Sequence, residues 1–167
     1  GDNKAFRGGI ALLIGVISDT HRYHWVIENA VKKLEDADLI IHLGDNVQDV
    51  REIKKYYKGR IINVKGNCDF AVNVPSEKIE IIENKTFFIT HGHSYDVKYD
   101  ISRLRYRALE IGADVVVYGH THVSKISFED GIWFINPGSP AVPRDNFYSV
   151  ATISINKNVI NASIKAV

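Results

Sequence analysis

Five short apolar runs in this sequence end in polar clusters of one chemical character. They are Asp19-Thr20-His21, Gly44-Asp45-Asn46, Gly66-Asn67-Cys68-Asp69, His91-Gly92-His93 and Gly119-His120-Thr121-His122. Any one of them has an ordinary reading as a turn or a satisfied surface histidine. Five in one chain, each closing a predicted strand, are harder to dismiss. Neutral imidazole suits borderline transition metals, whereas carboxylate and amide oxygens suit harder ions. A mixed set of Asp, Asn and His is what a site for two divalent cations needs, with one carboxylate oxygen able to bridge them. Cations about 3.5–4 Å apart can clamp an in-line displacement at phosphorus and lower the pKa of a shared water. The ions bring the positive charge, so a phosphate substrate requires no basic patch.

Cys68 is the only cysteine. It reads as a nucleophile, as a soft metal ligand, or as a bystander between two residues that matter more. No ordered histidine partner for it is evident in the sequence, which weighs against the nucleophile.

The elements that must position these clusters can be read from periodicity. Residues 12–18, LLIGVIS, form a short apolar run that reads as a buried strand. Residues 24–36 place Val26, Ile27, Ala30, Val31 and Leu34 at helical spacing. A second strand is expected at 38–43, a helix at 48–58 and a third strand at 60–65. This alternation favours a parallel sheet. KIEIIE and KTFFIT flank Glu83-Asn84 as a hairpin. A helix is expected at 100–112, with Ile101, Leu104, Ala108, Leu109 and Ile111 on its apolar face, then a strand at 114–119. The remainder, KISFE, IWFIN, YSVATISI and NVINASIKAV, is β-rich around the turn-rich stretch NPGSPAVPRD. In such sheets ligands gather beyond the carboxyl ends of the strands, so parallel strands bring the five clusters together.

The 167 residues suit one domain, expected at 10–167. Hydrophobic residues make up 45% and charged residues 25%, near the soluble globular average. A net charge of +1 gives no general case for nucleic acid or an anionic membrane. The apolar runs are strand-sized, so no transmembrane helix is expected. Gly8 to Leu12 is too short and poorly flanked for a signal segment. A lone cysteine suits a reducing cytosol, and a cytoplasmic location is the expectation. Residues 1–9 are unlike the rest of the chain in character and read as a loose tail or cloning remnant; the chain contains no methionine.

Asp19-x-His21, Gly44-Asp45, Gly66-Asn67, His91-Gly92-His93 and Gly119-His120-x-His122 resemble, in order and spacing, the motifs of the calcineurin-like metallophosphoesterases. The resemblance covers residues 12–165. Small size, the Asn67-Cys68-Asp69 variant and Asn136-Pro137-Gly138-Ser139 look most like the YfcE-type prokaryotic phosphodiesterase branch. The resemblance implies a four-layer α/β/β/α sandwich, two mixed β-sheets flanked by helices. It implies a first metal held by Asp19, His21, Asp45 and His122. A second would be held by Asp45, Asn67, His91 and His120, with Asp45 bridging. It implies manganese as a usual activating ion, with iron, nickel or zinc as alternatives. The implied reaction is phosphodiester hydrolysis by in-line attack of a metal-bridging hydroxide, without a covalent phosphoenzyme.

Candidate catalytic residues are then Asn67, Cys68 and His91, and candidate substrate contacts are Asn46, Asn67 and His93. Many members of the family carry histidine at the position of Cys68, where it serves the leaving alcohol. A thiol beside two cations should have a depressed pKa and no proton to give, which leans the activity toward diesters with acidic, aryl leaving groups. Asp69 is expected to hydrogen-bond a ligating histidine. His42 reads as a core histidine that orients a ligand, and His24 as solvent-facing. Tyr95, Tyr99, Trp25 and Trp133 read as core or rim aromatics. Loops 70–76, 94–100 and 139–146 would set the choice of a small phosphate-ester substrate. A phosphomonoesterase and a non-catalytic protein-binding scaffold, like the related retromer subunit, are the alternatives. A homo-oligomer is a further expectation of the resemblance.

Overall fold

The structure, a computed structural model, describes residues 11–21, 24–70 and 72–167, and the expected tail at 1–9 lies outside them. In chain order the elements are β1 (Leu12–Ile17), α1 (His24–Lys32), β2 (Leu39–His42), α2 (Asp49–Tyr56), β3 (Arg60–Asn63), β4 (Glu77–Ile82) and β5 (Lys85–Thr90). A 3-10 turn at His93–Tyr95 comes next, then α3 (Ser102–Ile111), β6 (Val115–Val117), β7 (Ser124–Glu129), β8 (Ile132–Pro137), β9 (Ser149–Asn156) and β10 (Val159–Ala166).

The strands form two five-stranded sheets, ordered β10-β9-β1-β2-β3 and β4-β5-β6-β8-β7. In the first, β1, β2 and β3 run parallel and β9 and β10 antiparallel. In the second, β5, β6 and β8 run parallel, with β4 and β7 antiparallel at the edges. Both sheets are mixed, as expected of the sandwich.

Alternation along each strand explains the layers. Ile14 and Val16 of β1, Leu39 and Ile41 of β2, Phe87 and Ile89 of β5, and Val115 and Val117 of β6 point into one cluster between the sheets. Their neighbours point the other way. Ile17 and Ile40 meet Ile27, Val31, Leu34 and Ile53 beneath α1 and α2. Phe88 and Val116 meet Leu104 and Ala108 beneath α3. A strand buried on both faces has no polar side to show, which is why these runs read as continuously apolar. Each buried Leu, Ile, Val or Phe contributes about 1.5–3 kcal/mol, so this seam is the main stabilising term.

An aspartate begins each half in the same way. The Leu13 N–H donates to Asp38 Oδ2 at 2.8 Å while the Asp38 N–H donates to Leu13 O at 2.7 Å. The Thr86 N–H donates to Asp114 Oδ2 at 2.8 Å and the Asp114 N–H to Thr86 O at 2.9 Å. Both sheets are thus pinned at the end away from the polar clusters.

Two details differ from the sequence reading. The first helix stops at Lys32 rather than 36, because single turns with i→i+3 bonds take over at Lys33 and Leu34. Leu109 is 48% exposed, because the stripe of α3 that meets the sheet runs through Leu104 and Ala108, with Ile111 partly covered, and passes Leu109 by. Among the described residues no helix is long and apolar enough to cross a membrane.

Candidate metal centre

The ends of four strands deliver donor atoms to one place. Asp19, His21, Asp45 and His122 each offer a ligand atom, and the four atoms lie within 4.8 Å of one another. Asp19 Oδ1 stands 3.1 Å from His122 Nε2, 3.9 Å from His91 Nε2 and 4.0 Å from His21 Nε2. His91 Nε2 is 3.5 Å from Asp45 Oδ2. The His91 ring is centred 5.1 Å from that of His120 and 5.5 Å from that of His93. Residues spread across most of the sequence therefore form one cluster, as the strand-end pattern predicted.

The imidazoles are aimed by backbone carbonyls. His91 Nδ1 donates to Leu43 O at 2.8 Å, and His122 Nδ1 donates to Val142 O at 2.9 Å. With the proton held at Nδ1, each neutral ring turns the Nε2 lone pair inward, the arrangement a metal ligand requires. Asp19 Oδ1, His21 Nε2 and His91 Nε2 are buried and have no hydrogen-bond partner among the described residues. Ligand atoms thus converge here without hydrogen-bond partners of their own. Such buried groups are costly unless a positive charge satisfies them. A divalent cation fits this donor set.

The charges of the cluster act on one another. Burial pushes the Asp45 carboxyl up, but His91, the Cys68 amide and Asp19 outweigh it and hold it well below the usual carboxylate range. Burial opposes protonation of His91, yet Asp45 and Asp19 carry its pKa above the ordinary value. His122 is raised by its contact with Asp19 against the effect of burial. His120 is pushed down to about 4, first by burial and then by His91.

The loops that present the donors are held by groups the sequence did not mark for that purpose. Asp69, expected on a histidine, instead accepts four backbone N–H groups. Oδ1 takes those of Asn46 and Val47 at 2.7 and 2.8 Å, and Oδ2 those of Asp45 and Gly66 at 2.9 and 2.8 Å. The reason is reach: a short side chain next to a tight turn meets amides before it meets a ring. Ser18 Oγ donates to Asp19 Oδ2 at 2.5 Å, and Ser139 Oγ donates to Asp19 O at 2.8 Å, tying the NPGS stretch to the first donor. The backbone is unusual as well. Asp19, His21, Asp45, Asn46, His120 and His122 all have φ between +50° and +76°. Asp, Asn and His are the side-chain-bearing residues most at home there.

The other expected site residues take varied positions. Asn67 is exposed, and among the described residues no hydrogen bond engages its side chain. Cys68 is exposed and acts through its backbone, whose N–H donates to Asp45 Oδ1 at 3.0 Å. With no ion beside it, burial and the nearby Asp45 carboxylate push its thiol up. Asn46 Nδ2 lies 3.5 Å from His21 Nδ1, and His93 Nδ1 is buried without a hydrogen-bond partner beside His91. His24 is exposed but pairs with Glu52 at 2.7 Å.

His42 is fully buried, and burial lowers its pKa. Its Nδ1 accepts the Gly44 N–H at 3.3 Å, leaving Nε2–H to donate to Thr20 Oγ1 at 3.1 Å. It therefore fixes the residues beside Asp19 and Asp45. A histidine whose folded pKa is depressed gives stability that is present above its unfolded value, about 6.5, and lost as pH falls below it. In metal-free protein, urea titrations from pH 8 to pH 5 should show a steeper loss for the native chain than for His42→Asn. Parallel pH profiles would show that His42 carries no such penalty.

The profile of the Calcineurin-like phosphoesterase superfamily domain matches residues 12–158. A probable metallophosphoesterase of Methanocaldococcus jannaschii is 40% identical over 152 residues, 88% of this chain and 78% of the relative. The phosphodiesterase YfcE of Escherichia coli is 31% identical over 94 residues, 51% of this chain and 47% of its own. A Streptococcus pneumoniae structure described as a predicted phosphoesterase superposes with a TM-score of 0.79 at 29% identity, covering 94% of this chain and 90% of that one. A Vps29 structure from Cryptosporidium parvum has a TM-score of 0.72 at 18% identity, covering 94% and 98%, a likeness of fold alone. The profile match spans the strands that carry every donor described above, and the chain belongs to the calcineurin-like phosphoesterase superfamily.

Proposed function

We propose that this protein hydrolyses phosphodiesters by in-line attack of water, using two divalent cations, with manganese the favoured ion. The single observation that carries the reading is the convergence of the buried, unpartnered Asp19 Oδ1, His21 Nε2 and His91 Nε2. Asp19, His21, Asp45 and His122 would hold one ion. Asp45, Asn67, His91 and His120 would hold the other, Asp45 serving both. Bound ions supply positive charge to the phosphoryl oxygens and lower the pKa of the attacking water.

The chain's own residues do the rest. The Leu43 and Val142 carbonyls keep the protons of His91 and His122 on the outer nitrogen. The Cys68 amide steadies Asp45, and the Asp19 carboxylate is fixed by Ser18 and the His120 N–H. Asn46 and His93 line the approach and suit contacts to phosphate oxygens. A protein-binding scaffold would have no need of all seven donors, and here each position carries a competent one.

Protein stripped of metal should be inert toward bis(p-nitrophenyl) phosphate and regain activity with manganese, with p-nitrophenyl phosphate turned over more slowly. Asn67→Ala should lower the manganese-dependent rate about 10- to 100-fold. Hydrolysis that survives both chelation and this substitution would remove the mechanism.

A further inference from the structure

A trough of about 610 Å³ opens beside the donor cluster, between α2 and the segment after β3. Its size is that of a small-molecule site. Cys68 lines it, and the backbone N–H of the same residue holds Asp45, so the trough begins where the donors end. Phe70, Val72 and Val74 give it an apolar wall, and Phe70 is 81% exposed. The opposite wall is basic: Arg51 and Lys54 stand three residues apart on α2, hence on one face of it. Neither has an ion pair among the described residues. The nearby carboxylate of Glu52 is taken by Lys55 and His24 instead.

A bare aromatic ring beside two unpaired cations favours a particular occupant. The ring offers a stacking face for a planar group, and the two cations offer charge-assisted bonds to a dianion. We propose that the trough holds the second ester arm of the substrate, and that this arm is a nucleoside carrying a further phosphate. The base lies against Phe70 and the outer phosphate meets Arg51 and Lys54. This rests on the phosphodiesterase reading, since only a diester has a second arm to place.

The test uses manganese-loaded protein and three probes in titration calorimetry: inorganic phosphate, adenosine 5′-monophosphate and adenosine 3′,5′-bisphosphate. Hydrolysis of bis(p-nitrophenyl) phosphate, which has no outer phosphate, is measured alongside. The native protein should bind the bisphosphate at least about tenfold more tightly than the monophosphate, one charge-assisted contact's worth. The double variant Arg51→Ala/Lys54→Ala should erase that advantage while leaving inorganic phosphate binding and bis(p-nitrophenyl) phosphate turnover within about twofold. Phe70→Ala should weaken both nucleotides about five- to tenfold and leave inorganic phosphate alone. Unchanged phosphate binding also reports that each variant is folded. Equal affinity for the two nucleotides, or an advantage that persists in the double variant, overturns the proposal. If the native protein binds as expected but never hydrolyses the diester, the phosphodiesterase reading falls and takes the ester-arm assignment with it.

Discussion

Asp69→Asn is expected to destabilise the protein by about 4 kcal/mol and to cut manganese-dependent hydrolysis at least about 100-fold. Asp69 is only 8% exposed and each of its carboxylate oxygens accepts two backbone N–H groups. An amide keeps one oxygen and turns an NH2 group toward the other pair of donors. Two buried N–H groups then face a third donor, and each buried orphan costs about 1–3 kcal/mol. The loss is not confined to stability. The amides of Asp45, Asn46 and Val47 belong to the segment that aims Asp45, and among the described residues no other anion holds all three. Urea denaturation and manganese titration of the same preparation would check both effects. A variant with native midpoint and native ion affinity would show that Asp69 does not organise the centre.

Gly66→Ala is expected to lower manganese affinity about 100-fold and stability by about 2 kcal/mol, the range of overpacking in a tight interior. A methyl group at this position would overlap Asp45 Oδ1 and lie 2.7 Å from the Asp45 backbone nitrogen. The carboxylate has little room to yield, because the Cys68 N–H bonds one oxygen and His91 Nε2 stands 3.5 Å from the other. The loop must open instead, and it takes the donor with it. Gly119 makes a similar approach, with a methyl group there overlapping Ser18 Oγ and lying 3.0 Å from Asp19 Oδ2. Isothermal titration with manganese tests the claim, and full-affinity binding by Gly66→Ala would contradict it.

The sequence was most informative where periodicity and chemistry changed together. The apolar runs at 12–17, 39–42, 85–90 and 115–117 each stop within a few residues of a donor, and the sandwich brings those ends to one side. Side-chain types marked the polar clusters, and the resemblance to a known family grouped Asp19, His21, Asp45 and His122, which the fold brings together. What the sequence hid depended on partners chosen by tertiary contact. Asp69 sits one residue from a cysteine and looks like part of a ligand motif, yet its partners are amides that only the folded loop supplies. The carbonyls of Leu43 and Val142 set the histidine protons, and a carbonyl leaves no mark in a sequence. Leu109 matched the helical stripe but lies off the narrow line where α3 meets the sheet. Nothing in the sequence marked Arg51 and Lys54, which line one trough with Phe70 and Val72.

The positive φ angles of Asp19, His21, Asp45, His120 and His122 restrict how this centre can diversify. A cysteine or glutamate introduced at any of these places would change the donor and also force a side chain poorly suited to that backbone, at roughly 1–3 kcal/mol each. Drift toward a thiolate-rich site for softer ions is therefore opposed by main-chain geometry before coordination chemistry has any say. The lineage can exchange aspartate, asparagine and histidine among these corners at little conformational cost, and its choice of ion is confined to what those three side chains can hold.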